Sequence, residues 1–163
     1  MQSSGWLGSI DHAIGRLVGA GRWLVLPVAL LLFLQWPLRD FLHRYSREAN
    51  DLGQWLFALY ISLALTYATR ERAHLAVDAV ARGYRASTRG AIGRWGTLFC
   101  VAPWAIFMIV AAWPTVQRSL LGLEKFPESL NPGYFMIKVA TVLLAVLALA
   151  QTLIDAVRPR RET

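Results

Sequence analysis

Four long apolar stretches divide this chain, with most of its arginines gathered between and beyond them, and that pattern leaves the backbone few ways to fold. Leu52 to Thr69 runs 18 residues without a charge and Trp95 to Gln117 runs 23, close to the roughly 20 residues that carry a helix across about 30 Å of hydrocarbon. Two further charge-free runs, Trp23 to Leu38 and Val139 to Ile154, have 16 residues each and are short by that measure. Each can be extended. The first has Phe41 and Leu42 beyond its end, and the second has Tyr134 to Ile137 ahead of Lys138, whose long stem can carry its ammonium to the interface. A chain in lipid must bond its own backbone N–H and C=O groups, which selects helices over an open sheet. The expectation is an all-α integral membrane protein with four transmembrane helices, at about residues 23–42, 52–69, 95–117 and 135–157, forming one domain over residues 1–163.

Tryptophans support these depths, because the indole ring favours the headgroup level. Trp95 and Trp113 are 18 residues apart, about 27 Å at 1.5 Å per residue. Trp23 with Trp36, and Trp55 with Tyr67, bracket the first and second segments in the same way.

The net charge of +7 would suit nucleic acid if it formed one soluble basic face, but the basic residues flank the apolar segments instead. Placing both termini in the cytoplasm puts Arg16, Arg22, six arginines of the central connection and Arg158, Arg160 and Arg161 on the inner side, eleven of the 17 basic residues. The outer side then receives Arg39, Arg44, Arg47, Arg118, Lys125 and Lys138, the first three offset by Asp40, Glu48 and Asp51. The positive-inside rule favours that orientation. Arg16 and Arg22 resemble the charged leader of a signal peptide, yet Leu38, Arg39 and Asp40 offer no small-x-small cleavage site, so the first helix is expected to be retained.

Amphipathic helices are expected at the interfaces. Trp6, Leu7, Ile10, Ile14, Leu17 and Val18 recur at helical spacing with Asp11, His12 and Arg16 between them, the pattern of a helix lying in the headgroup plane. Residues 39–51 repeat it, with Phe41, Leu42 and Tyr45 opposed to Arg44, Arg47 and Glu48. In the central connection Asp78, Arg82, Arg85 and Arg89 form one charged stripe suited to anionic headgroups. Residues 118–134 hold Gly122, Pro127, Asn131, Pro132 and Gly133, a structured outer loop.

Little in the spans could perform chemistry. His12, His43 and His74 all fall in connections, with no i, i+4 pair for a haem or a metal, and Cys100 is the only cysteine. Ser62, Thr66, Thr141, Gln151 and their like stand singly, and such groups more often bond a neighbouring helix than catalyse. Ion-coupled carriers use broken helices and polar midplane groups, which these spans do not display. A partner subunit is expected, with no catalytic group, cofactor or metal of its own.

Two stretches carry a resemblance. The end of the second segment reads YATRERAHLAVDAVARGY, and the approach to the fourth reads FPESLNPGYFMIKVATVLLAVLALAQTLIDAVR. Arg70 or Arg72, His74, Leu75 and Asp78 in the first, and Glu128, Ser129, Pro132, Gly133, Ile137, Lys138 and Gln151 in the second, resemble the small membrane subunit of tripartite ATP-independent periplasmic (TRAP) transporters, the DctQ type. The resemblance covers about residues 39 to 158. It implies an auxiliary subunit of the bacterial inner membrane, bound to a large membrane subunit that holds the substrate and sodium sites and is served by a periplasmic substrate-binding protein carrying an organic anion, with a carboxylate expected. Within that frame, Trp55, Phe57, Tyr60, Trp104 and Phe107 are candidate contacts to the large subunit. Arg44, Arg47, Glu124 and Lys125 are candidate docking residues for the binding protein. Lipids are further partners, and nucleic acid is not. The alternative from another class is a membrane anchor subunit of a respiratory enzyme.

Overall fold

The computed structural model describes residues 5–41, 46–70 and 85–157. They form α1 (Gly5–Gly21), a 3-10 turn (Arg22–Leu24), α2 (Val25–Asp40), α3 (Arg47–Arg70), α4 (Ala86–Leu121) and α5 (Phe135–Val157). Among the described residues there is no strand, only an isolated antiparallel bridge between Lys125 and Pro132. Four helical stretches are long and apolar enough to cross a membrane: Gly8–Asp40, Arg47–Arg70, Gly90–Leu121 and Phe135–Val157. The protein is an all-α membrane protein of four spanning helices.

The shortness of the first apolar run is resolved by continuity. α2 alone has 16 residues, about 24 Å at 1.5 Å per residue, but α1 runs into it through the 3-10 turn. Pro27 accounts for the tighter turn. It has no N–H for the Trp23 carbonyl, and its ring crowds the preceding turn. Val25 instead bonds back to the Arg22 carbonyl.

α1 uses its periodic apolar stripe against protein. Ile14 and Val18 are buried with Leu63 of α3 and with Leu147 and Ile154 of α5, while Trp6, Ile10 and Leu17 stay exposed. The register is antiparallel to α3. Gly15 lies against the Arg70 side chain and Gly21 against Leu63, where an added Cβ would sit 2.5 Å from a methyl carbon. Only glycine admits that approach.

The spanning helices stand in a row. α2 packs on α3, α3 on α5, and α5 on α4, with α1 filling the space against α3 and α5 at one end. Small residues permit the central contact: Ser62 and Thr66 of α3 are buried, as are Ala140 and Ala145 of α5. Close backbone approach of this kind is how helices associate without a hydrophobic drive. The Ser62 hydroxyl lies 2.8 Å from the carbonyls of both Ala58 and Ala140, so its single proton bonds either its own helix or the neighbour.

Two helix boundaries differ from the sequence expectation. α3 begins at Arg47 rather than near Leu52, taking Arg47, Glu48 and Asp51 into its first turns. α4 begins at Ala86, nine residues ahead of Trp95, and has 36 residues, about 54 Å of helix against about 30 Å of hydrocarbon. Arg89 of the expected charged stripe therefore belongs to the overhang of α4. Asp78 and Arg82 lie outside the described residues, as do His43 and His74.

Candidate functional site

Polar residues gather at the two ends of the helical row. At the loop end, residues 122–134 turn from α4 into α5 on a frame of backbone bonds. Phe126 N–H donates to Asn131 O at 2.8 Å, Leu130 N–H to Phe126 O at 2.9 Å, and Gly133 and Tyr134 N–H both to Glu124 O at 3.1 Å. Phe126 is buried and meets Tyr134 edge to face at 5.5 Å. Gly133 holds φ at 142° with Phe126 packed against its open side, a conformation that a side chain would strain.

Four side-chain contacts fasten this loop to three helices. The Ser129 hydroxyl donates to the buried carboxylate of Asp51 in the second turn of α3. Arg47 donates to the Glu128 carbonyl at 3.1 Å. Lys138, in the first turns of α5, places its ammonium on Glu124, which also accepts from Ser119 of α4. The Lys138 ammonium, then the Ser119 hydroxyl, hold the Glu124 carboxyl below the usual carboxylate range. Charged partners make such bonds stronger than neutral ones. An open cleft of about 420 Å³ lies beside this corner, lined by Thr115, Arg118, Ser119, Gly122, Glu124 and Lys138.

At the opposite end, Arg70 closes α3 and joins three helices. Its Nη1 lies 2.7 Å from Asp11 of α1 and donates to Gln151 Oε1 of α5 at 2.8 Å. Gln151 is fully buried and passes the chain on, its Nε2 donating to Asp155 at 3.0 Å. This network brings the start of α1, the end of α3 and the end of α5 to one side of the row.

A family model for the DctQ component of tripartite ATP-independent periplasmic transporters matches residues 28–162. The chain belongs to the DctQ family. No curated protein and no solved structure matches it. A DctQ subunit is a component of a transporter and not an enzyme, so the respiratory-anchor alternative is set aside. The match takes in α2 to α5 and leaves α1 ahead of it.

The structure assembles one of the two sequence motifs of this DctQ subunit. Glu128, Ser129, Pro132, Gly133 and Lys138 all sit in the loop clamp: Glu128 through its carbonyl, Ser129 on Asp51, Pro132 bridged to Lys125, Gly133 at the positive-φ turn and Lys138 on Glu124. Of the other motif, Arg70 is described, whereas Arg72, His74 and Asp78 lie outside the described residues.

The aromatic candidates divide between two helices. Trp55 and Tyr60 on α3 are half-buried and Phe57 is exposed, while Trp104 and Phe107 on α4 are both exposed. α5 stands between α3 and α4, so the five residues lie on two helices that a third separates. Of the docking candidates, Arg44 lies outside the described residues, Arg47 and Lys125 are exposed, and Glu124 is bonded to Ser119 of α4 and Lys138 of α5. Among the described residues no group of His, Cys, Asp or Glu is placed to hold a metal.

Sequence spacing did not point to Asp51, whose partner Ser129 is 78 residues away, nor to the pairing of Gln151 with Arg70 across 81. The available signal for Asp51 is a carboxylate standing directly before an apolar run. For Gln151 it is an amide inside one.

Proposed function

We propose that this DctQ subunit acts as a stationary membrane support for the large TRAP subunit, which holds the substrate and sodium sites and carries out sodium-driven uptake of an organic anion. The observation that carries this reading is the family match to a transporter component. The row of helices supports it: α4 lies at one flank, and Trp104, Ile106, Phe107 and Val110 leave much of its surface uncovered. A row of helices can widen a partner's footprint in the bilayer, and the polar groups described within it serve its own helix contacts.

The membrane is the bacterial inner membrane, with both termini cytoplasmic. That orientation rests on the arginine count of the connections. The loop end then faces the periplasm and the Arg70 end the cytoplasm. In this frame Trp104 and Phe107, with Trp55, Phe57 and Tyr60, supply contacts to the large subunit, since aromatics contribute large packing areas. Arg44, Arg47, Glu124 and Lys125 border the surface that meets the substrate-binding protein.

The test is purification of the tagged chain from native membranes in mild detergent. A co-purifying large permease is the expected result, and its loss in a Trp104→Ala, Phe107→Ala variant would assign the α4 face. Recovery of the chain alone after cross-linking would overturn the support role. For docking, Lys125→Glu is the cleaner reversal, because Glu124 is already committed to Lys138 and Ser119. Unchanged uptake and unchanged binding-protein affinity in Lys125→Glu would remove Lys125 from that surface.

A further inference from the structure

The cleft beside the loop clamp has donors with no acceptor to match them. Of its six lining residues, Lys138, Ser119 and Glu124 satisfy one another. Lys138 is further held over the Tyr134 ring at 5.4 Å. Arg118 is left over. Its Nε donates to the Pro114 carbonyl of its own helix at 3.2 Å, and among the described residues it forms no ion pair. The Thr115 hydroxyl, one turn before Arg118, likewise makes no hydrogen bond among the described residues. With two cations and one carboxylate lining it, the cleft carries a net positive charge and has room for an anion with several oxygens.

Depth and surroundings select the anion. Arg118 is five residues beyond the exposed Trp113, about 7.5 Å along the helix at 1.5 Å per residue, which is past the indole level and within the headgroup layer. Back down the helix from Arg118, Pro114, Ala111 and Phe107 recur at intervals of four, three and four residues and are all exposed. They form an apolar track running from the cleft toward the bilayer centre. A free inorganic anion would use the cleft and leave the track idle, whereas a lipid fills both.

We propose that this cleft is a glycerophospholipid site, in which the Arg118 guanidinium and the Thr115 hydroxyl bind the headgroup phosphodiester and an acyl chain lies along Pro114, Ala111 and Phe107. Arginine suits the role because its planar fork can offer two parallel N–H donors to phosphate oxygens. The Lys138–Glu124 pair forms the back wall of the site, so lipid binding and the loop clamp share a boundary. The headgroup half of the site, Arg118 and Thr115, is separate from the aromatic residues assigned to the large subunit, whereas Phe107 belongs to both surfaces.

The experiment is native mass spectrometry of the full-length chain in mild detergent, titrated with phosphatidylglycerol and, separately, with diacylglycerol, which has the same tails and no phosphate. The expected result is retention of phosphatidylglycerol over diacylglycerol. Arg118→Gln should weaken that retention roughly tenfold, the loss of a charge-assisted contact, with Arg118→Lys in between and Arg16→Gln, at the far end, unchanged. Thermal melting without lipid checks that each variant is folded, and Thr115→Val supplies a second, milder lesion should Arg118→Gln melt early. Equal retention by Arg118→Gln and wild type overturns the proposal, as does equal retention of the two lipids. Displacement by an equal concentration of inorganic phosphate would make this a free-anion site and overturn the lipid assignment. In the complex with the large subunit, cross-linking of position 118 to protein with no lipid retained would also overturn it.

Discussion

The two ends of the helical row are held together by different kinds of contact. The loop end is built largely from neighbours in sequence. The backbone bonds of residues 118–137 close on themselves, and Ser119, Glu124 and Lys138 meet within 19 residues of chain. The Arg70 end is built from residues far apart: Asp11, Arg70 and Gln151 come from three helices. The loop end can keep its shape when one helix shifts slightly, because its frame is local. The Arg70 end cannot, because one guanidinium serves two helices at once. A local frame suits a surface presented to a partner, and a shared guanidinium suits a fixed joint between helices.

The largest expected effect comes from breaking the joint. Arg70→Ala removes the guanidinium that Asp11 and Gln151 share, and removing one partner of a buried charge pair costs about 3 kcal/mol or more. The Arg70 side chain is 11% exposed and Asp11 30%, so the lower end of that range applies. Detergent thermal melting should show the loss. Hydrogen exchange should rise at the start of α1 and the end of α5 while the 122–134 loop stays protected. Loosening of the loop to the same degree would mean that the two ends are one cooperative unit.

Asp51→Ala tests the side-chain half of the long-range fastening of the loop to α3, the other half being Arg47 on the Glu128 carbonyl. It strands the Ser129 hydroxyl and removes a buried charged acceptor, a loss of about 2 kcal/mol. Limited proteolysis should now cut within residues 122–134, while the exchange of Arg70-end peptides stays as in wild type. A smaller change, about 1 kcal/mol, is expected for Gly133→Ala, from strain at a positive φ plus the pressure of the new Cβ on Phe126. Its signature is the same proteolytic sensitivity with a near-native melting temperature.

The smallest effect at neutral pH is the titration of Glu124. Its carboxyl lies below the usual range in the folded protein, so the stabilisation is fully present above the ordinary carboxylate pKa and fades as pH falls through the folded value. Protease resistance of the loop should hold from neutral pH down to about pH 4.3, the ordinary glutamate value, and fall below it. Glu124→Gln should abolish that dependence. A wild-type loop that opened at higher pH would point to another titrating group.

The halves of the sequence motif were unequally readable for the same reason. Glu128, Ser129, Pro132, Gly133 and Lys138 stood out as a turn-rich approach to an apolar run, and they do make a loop because Gly and Pro restrict the backbone locally. That Ser129 reaches Asp51, and that Lys138 turns its ammonium to Glu124 rather than simply to water, depends on how α3 and α4 stand beside α5. The aromatic candidates show the same boundary. Their helices were evident from apolar length, but their division between α3 and α4 with α5 between them was not, since a hydropathy pattern carries no information about neighbour order.

The sequence by itself determined that the chain is helical and spans a membrane four times, because charge-free length and the need to bond the backbone in lipid leave one kind of solution. It also placed the loop and, through two motifs, pointed to the family. Tertiary structure alone decided that α1 joins α2 and packs its stripe on α3 and α5, that the helices form a row, and that Arg70 finds Asp11 and Gln151. In an apolar solvent nearly every helix face is tolerated, so the choice among neighbours falls to a few glycines, serines and buried polar pairs whose partners lie dozens of residues away.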